Sequence, residues 1–186
     1  MTFGRAASIA GALALVAAVP AGASHHSLSP SALYSALLKA KVTTADLPHG
    51  YQSPAVGAYK LTSGDKKHHA VGGVEIVADA GNEAVIYLIF SSTSAAQLDW
   101  EHGNFTGRNT SAAPSSIAKP SVVINTSAQT TVNGKPTSFG LTDVGALRGN
   151  VIVQAATSST TSTTHGDQAG AVALEQFALA HLQAIA

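Results

Sequence analysis

Histidine is the residue type in this chain best suited to chemistry. There are 8 among 186 residues that otherwise carry only 10 basic and 10 acidic side chains. His25, His26, His49, His68, His69, His102 and His165 fall mostly in predicted loops or at element ends. Neutral imidazoles can ligate zinc together with carboxylates such as Asp99, Glu101 or Asp167. No pair has a ligand spacing of the H-E-x-x-H kind on a helix, and adjacent residues such as His68 and His69 point to opposite faces of a strand. The expectation is exposed surface histidines, with no metal and no other cofactor. His181 lies beside the apolar stripe of the last predicted helix and reads as a packed or rim residue.

The single tryptophan, Trp100, sits between Asp99 and Glu101 and is followed by Phe105. A flat apolar ring with acceptors beside it can bind a sugar or a peptide, although a lone tryptophan more often closes one end of a core. Arg148 and Asn150 flank Gly149 just before a Val/Ile-rich segment, where they supply either a polar pair near a sheet edge or simple turn chemistry. Trp100, Phe105, Arg148 and Asn150 are the candidate ligand-binding residues.

Signs of catalysis are weaker. The chain has no cysteine nucleophile, no G-x-S-x-G elbow and no phosphate-binding loop. S-x-x-K occurs at Ser63 to Lys66 and at Ser116 to Lys119, in a predicted turn and a predicted loop, without its S-D-N and K-T-G companions. No catalytic residue is assigned. The rival to a binding module is a small hydrolase built from the Trp100 to Arg108 and His165 to Asp167 loops, which needs His102 or His165 within reach of a serine and a carboxylate. A histidine-based metal-binding protein is the other alternative.

Such side chains need a scaffold, and its most legible part is the end of the chain. Ala171, Leu174, Phe177, Ala178, Leu182 and Ile185 recur at helical spacing and form one apolar stripe, with Asp167 as its N-cap. The preceding strand, Gly149 to Ala155, sends Val151, Val153 and Ala155 to one face and Ile152 and Gln154 to the other. Ser29-Pro30 starts a first helix whose buried stripe is Leu33, Ala36, Leu37 and Ala40. Between these ends, Gly73 to Asp79 and Ala84 to Phe90 read as a hairpin joined by Ala80-Gly81-Asn82, the second strand apolar on both faces. Tyr59 and Leu61 alternate as in an edge strand, and Ser63 to Lys67 reads as a polar turn. Ser94 and Gln97 suggest a capping box for a short helix ending at Gly103.

Asn104 to Pro120 reads as a loop. Val122 to Ile124, Ala128 to Val132 and Pro136 to Leu141 read as strands, the last two joined by an Asn133-Gly134 turn. Thr157 to Thr164 reads as a surface loop. The sum is an α+β fold: an antiparallel sheet of about five to six strands, with an N-terminal helix, a short middle helix and a long C-terminal helix packed on it.

Arg5, the uncharged apolar run from Ile9 to Val19, Pro20 and Ala21-Gly22-Ala23 form a secretory signal with an A-x-A cleavage site. Residues 1–23 are thus expected to be removed and residues 24–186 to form one domain. The apolar run is shorter than the roughly 20 residues of a spanning helix, and without cysteine the lipid-attachment route is closed. The expected place is outside the cell, with an envelope ligand or protein as partner. Balanced charge argues against nucleic acid.

The stretch Thr44-Ala45-Asp46-Leu47-Pro48-His49-Gly50-Tyr51, the later Leu147-Arg148-Gly149-Asn150-Val151-Ile152-Val153 and the Ala-rich closing helix resemble a broad group of uncharacterised secreted proteins and lipoproteins of actinobacteria. These show a D-L-P-x-G-[FY] turn near the start and an R-x-N strand before a final apolar helix. More distantly, the order of elements is similar to extracellular sensor domains of mycobacterial serine/threonine kinases, whose cysteines are missing here. The resemblance implies export and an α+β fold, and no particular activity.

Overall fold

Ser29 accepts the Ala32 amide at 3.3 Å, and Pro30 occupies the first helical turn, where a missing N–H costs nothing. The helix so started, α1 (Pro30–Lys39), buries Leu33 and Leu37. The computed structural model describes residues 28–186 except 79–82, 104, 106–108, 133–134 and 160–161. The signal segment, His25, His26 and the turns expected at Ala80-Gly81-Asn82 and Asn133-Gly134 lie outside the described residues.

After α1 comes a short 3-10 turn, Thr44–Asp46, closed by the Asp46 carboxylate, which accepts the Thr43 amide and hydroxyl at 2.7 Å each. Then follow β1 (Ala55–Ala58), α2 (Ser63–Lys67), β2 (Ala70–Ala78), β3 (Glu83–Phe90), α3 (Thr93–His102) and β4 (Thr110–Ala112). β5 (Ser121–Val132), β6 (Lys135–Arg148), β7 (Val151–Ser159) and α4 (Gln168–Ile185) complete the chain. Among the described residues the strands form one seven-stranded sheet in the order β1-β2-β3-β7-β6-β5-β4, every pairing antiparallel. The fold is α+β, with seven strands instead of the expected five to six.

The differences have local causes. Ser63 to Lys67 is a helix because the Thr62 hydroxyl accepts the Asp65 amide at 3.2 Å while the Asp65 carboxylate accepts the Thr62 amide at 2.6 Å, a reciprocal capping box. α3 begins one residue before Ser94, and its cap is Ser92, whose hydroxyl accepts the Ala95 amide at 3.1 Å. The expected loop after Asn104 contains β4, which pairs Thr110 to Ala112 with Val122 to Ile124. The two segments expected on either side of Asn125 are one strand, β5. β7 continues past Ala155 because Thr157, 1 % exposed, donates to the Asp167 carbonyl oxygen at 2.8 Å and so belongs to the core.

Two helices cover one face of the sheet. Leu33 and Leu37 of α1 and Leu174, Ala178 and Leu182 of α4 pack on Val74, Ile76, Val85, Tyr87, Val151, Val153 and Ala155. Val123, Val144 and Ala146 extend this layer under Ala171. α4 is capped as expected, with Asp167 Oδ1 accepting the Gly170 amide at 3.1 Å. Among the described residues no helix is long and apolar enough to cross a membrane.

Candidate functional site

Because side chains alternate along a strand, the apolar face beneath α1 and α4 defines a second face on the other side of the sheet. One end of that second face is closed. Ala95, Ala96 and Trp100 of α3, together with Phe105, pack on Leu88, Phe90, Leu147 and Ile152.

The four candidate ligand residues all lie around this closed end, where the fold uses each of them. Trp100 is 8 % exposed and stacks on Phe105 with ring centroids 4.9 Å apart and planes at 10°. Phe105 is 4 % exposed, so the aromatic platform suggested by the sequence is an interior stack. The Arg148 guanidinium donates to the carbonyl oxygens of Leu147 and Ala118, each at 2.6 Å, and burial lowers its pKa. Asn150 donates from Nδ2 to the Phe90 carbonyl oxygen at 3.0 Å, and Gly149 before it takes the positive φ of 57° that turns β6 into β7.

Moving along β3 and β7 away from α3, the second face is open among the described residues. Register places Ile86 between Glu75 and Gln154, and one step further Ala84 lies between Val77 and Ala156, with Asp143 beyond. All of these are half-buried. Tyr59 bounds the strip on the β1 side, lying against Gly73. Burial raises its phenol pKa, and the negative charges of Asp65 and Glu75 add to the effect. On the far side Gln154 Nε2 donates to Asp143 Oδ1 at 2.9 Å. Burial raises the Asp143 pKa, and the Gln154 hydrogen bond opposes the shift.

The strip therefore has an apolar floor of Ile86 and Ala84 bordered by a phenol, two carboxyl groups and an amide. Glu75 makes no side-chain hydrogen bond among the described residues, so its oxygens can accept from a ligand. The sequence marked Gln154 as facing away from its apolar neighbours and Tyr59 as alternating. Its period-2 pattern leaves open which end of the face α3 covers, and that is why Glu75 and Asp143 gave no signal.

Among the described residues the histidines do not converge on a metal-binding cluster. No group of three or more His, Asp or Glu side chains suited to a metal occurs among the described residues. His165 sits near Ser162 and Asp167 in an open hollow of ≈ 400 Å³, but its Nδ1 pairs with the Gly166 carbonyl oxygen at 2.8 Å. A second open hollow, of ≈ 440 Å³, holds His49, Tyr51, Glu83 and Asp167. The Asp167 carboxylate, common to both, is engaged in capping α4. His102 is exposed at the last residue of α3. His68 and Asp99 do meet, with Nδ1 to Oδ1 at 2.7 Å and side chains 13 % and 6 % exposed. The sequence named both residues and had no means of pairing them.

No protein-family model and no curated protein matches the chain.

Proposed function

We propose that this chain is an exported, non-enzymatic binding module that holds an envelope ligand on the open strip between Tyr59 and Asp143. The observation that supports this reading is the grouping of Tyr59, Glu75, Gln154 and Asp143 around Ile86 on a sheet face that α3 covers only at its other end. Carboxyl oxygens and an amide around a flat apolar floor suit a ligand with hydroxyl donors and an apolar face, which is the chemistry of a sugar ring. Export rests on the signal in residues 1–23, and kinship with secreted actinobacterial proteins rests on the turn and strand motifs at the two ends.

The test is a titration of isotopically labelled residues 24–186 with soluble oligosaccharides released from a cell envelope, followed by amide chemical shifts. Saturable shifts at Glu75, Ile86, Asp143 and Gln154 are expected. Glu75→Gln should weaken the interaction by roughly tenfold, the worth of a hydrogen bond to a charged group. Shifts confined to other surfaces, or none with any fragment, overturn the reading.

The His68–Asp99 pair favours a second reading, a hydrolase in which a carboxylate orients a general base. Among the described residues no serine hydroxyl is bonded to His68, so the binding module stands first.

A further inference from the structure

The two edges of the sheet are built differently. β1 is four residues long and lies between Pro54 and Lys60, a short edge flanked by residues that discourage further pairing. At the other edge, among the described residues, β4 covers β5 from Val122 to Ile124, with one more bond from the Asn125 amide to the Asn109 carbonyl oxygen at 3.2 Å. β5 then continues to Val132, paired with β6 along its whole length on its inner side.

Backbone groups alternate in direction along a strand. Because the Asn125 amide points outward, the N–H and C=O of Ser127, Gln129 and Thr131 point outward too. None of these has a partner among the described residues. All three residues are exposed, and from Asn125 to Thr131 the strand contains no charge and no proline. On the opposite flank of the same hairpin the pairing with β7 reaches no further than Gly140 among the described residues, and the next outward residue but one, Pro136, has no N–H to offer.

We infer that the Ser127–Thr131 edge of β5 is a self-pairing surface, and that it takes the same edge of a second copy of this chain, antiparallel about a two-fold axis. An antiparallel pairing of identical strands is self-complementary. Gln129 meets its counterpart, and Ser127 meets Thr131 of the other copy, each pair exchanging both its outward N–H and its outward C=O. The charge distribution permits this. The chain has a formal net charge of +0, the edge carries none, and antiparallel docking puts the two Lys135 side chains at opposite ends of the contact. The sheet then runs unbroken through both copies, and the open strip lies on a different part of the surface, so the pairing presents two strips from one particle.

Sedimentation velocity of residues 24–186 over a wide concentration range tests this, with Gln129→Lys and Gln129→Glu as variants. Because Gln129 lies on the axis, each variant alone brings like charges together and should sediment as a monomer, whereas an equal mixture of the two should recover the dimer. A wild-type monomer at every concentration overturns the inference, as does a dimer that either variant leaves intact. Loss of the dimer in both variants without recovery on mixing also overturns it. Gln129 is exposed and its outward amide is not used by β6, so far-UV circular dichroism and melting temperature should match the wild type.

Discussion

Tyr87 Oη lies 3.0 Å from His181 Nδ1 and 3.2 Å from the Ala178 carbonyl oxygen, tying an inner strand to the closing helix. The hydroxyl proton goes to the carbonyl oxygen, which leaves the phenol oxygen to accept from His181 Nδ1–H. Burial raises the Tyr87 pKa, with the charge of Glu175 adding to it, so the phenol stays protonated. Burial lowers the His181 pKa against the opposing pull of Asp46, and the ring stacks on Phe177 with centroids 5.7 Å apart.

Removing the hydroxyl in Tyr87→Phe strands the imidazole N–H and should cost about 1–3 kcal/mol in urea unfolding at pH 7.5. His181 gives that cost a pH dependence. A base whose folded pKa is depressed contributes stability that is complete above its ordinary pKa and lost as pH falls through the folded value. The urea midpoint should therefore fall as pH drops from about 7 toward 5, and His181→Gln should reduce that fall. Parallel curves for wild type and variant would show that the ring titrates as it does in the unfolded chain.

Glu175 pushes stability the other way. It is 0 % exposed on the buried face of α4, between Leu174 and Ala178 in sequence, and neither carboxyl oxygen has a partner within hydrogen-bond criteria among the described residues. Burial holds its pKa well above the usual carboxylate range, against the opposing pull of the Arg148 charge and the Ala155 backbone amide. An acid whose folded pKa is raised stabilises the fold fully below its unfolded value, and that contribution disappears as pH rises through the folded one. Glu175→Met keeps the volume and removes the charge. It should gain about 1–4 kcal/mol at pH 8, as replacements of buried charges often do, and little at pH 4. A gain independent of pH would mean that Glu175 has the same pKa in the folded and unfolded chains.

The His68–Asp99 pair joins the end of α2 to α3, and next to it the His69 carbonyl oxygen accepts the Ser91 amide at 3.1 Å. His69 itself takes a φ of 63°, a conformation that L-residues adopt only where the surroundings hold them. Cutting the clamp with Asp99→Ala leaves Nδ1 of a mostly buried ring unpaired, at a cost of about 1–3 kcal/mol. The wild type should hydrolyse a nitrophenyl ester no faster than free imidazole does, and His68→Ala should leave oligosaccharide shifts at Gln154 unchanged. Ester turnover abolished by His68→Ala would instead support the hydrolase reading.

The parts of this fold that could be read from the sequence are those where one period dominates a long segment. The α4 stripe from Ala171 to Ile185 and the alternation from Val151 to Ala155 fixed both elements and their contact, because a 3.6-residue and a 2-residue pattern there compete with nothing. Short elements were lost. α2 depends on one reciprocal bond pair between Thr62 and Asp65, and β4 pairs three residues with a strand that lies further along the chain. Thr157 looked like part of a Ser/Thr loop, since nothing local reveals that its hydroxyl meets the Asp167 carbonyl oxygen. The candidate site was missed for a related reason. Glu75, Gln154 and Asp143 are brought together by register across β2, β3, β7 and β6, whereas Trp100 and Phe105 attracted notice as aromatics and are spent on the core.

That aromatic stack sets a requirement on β6. A methyl group at Gly145 would run into the Phe105 ring, which is held by its stack on Trp100. Gly145→Ala should therefore cost about 1–3 kcal/mol as an overpacking defect. Phe105→Ala alone should cost about 3–5 kcal/mol for the cavity it leaves. The two defects occupy the same space, so the double variant should be less destabilised than the sum of the singles by at least about 1 kcal/mol, the coupling expected of residues in contact. Urea unfolding of all four proteins closes the cycle. Strict additivity would show that Phe105 moves away from β6 in solution and that the stack does not close this end of the sheet.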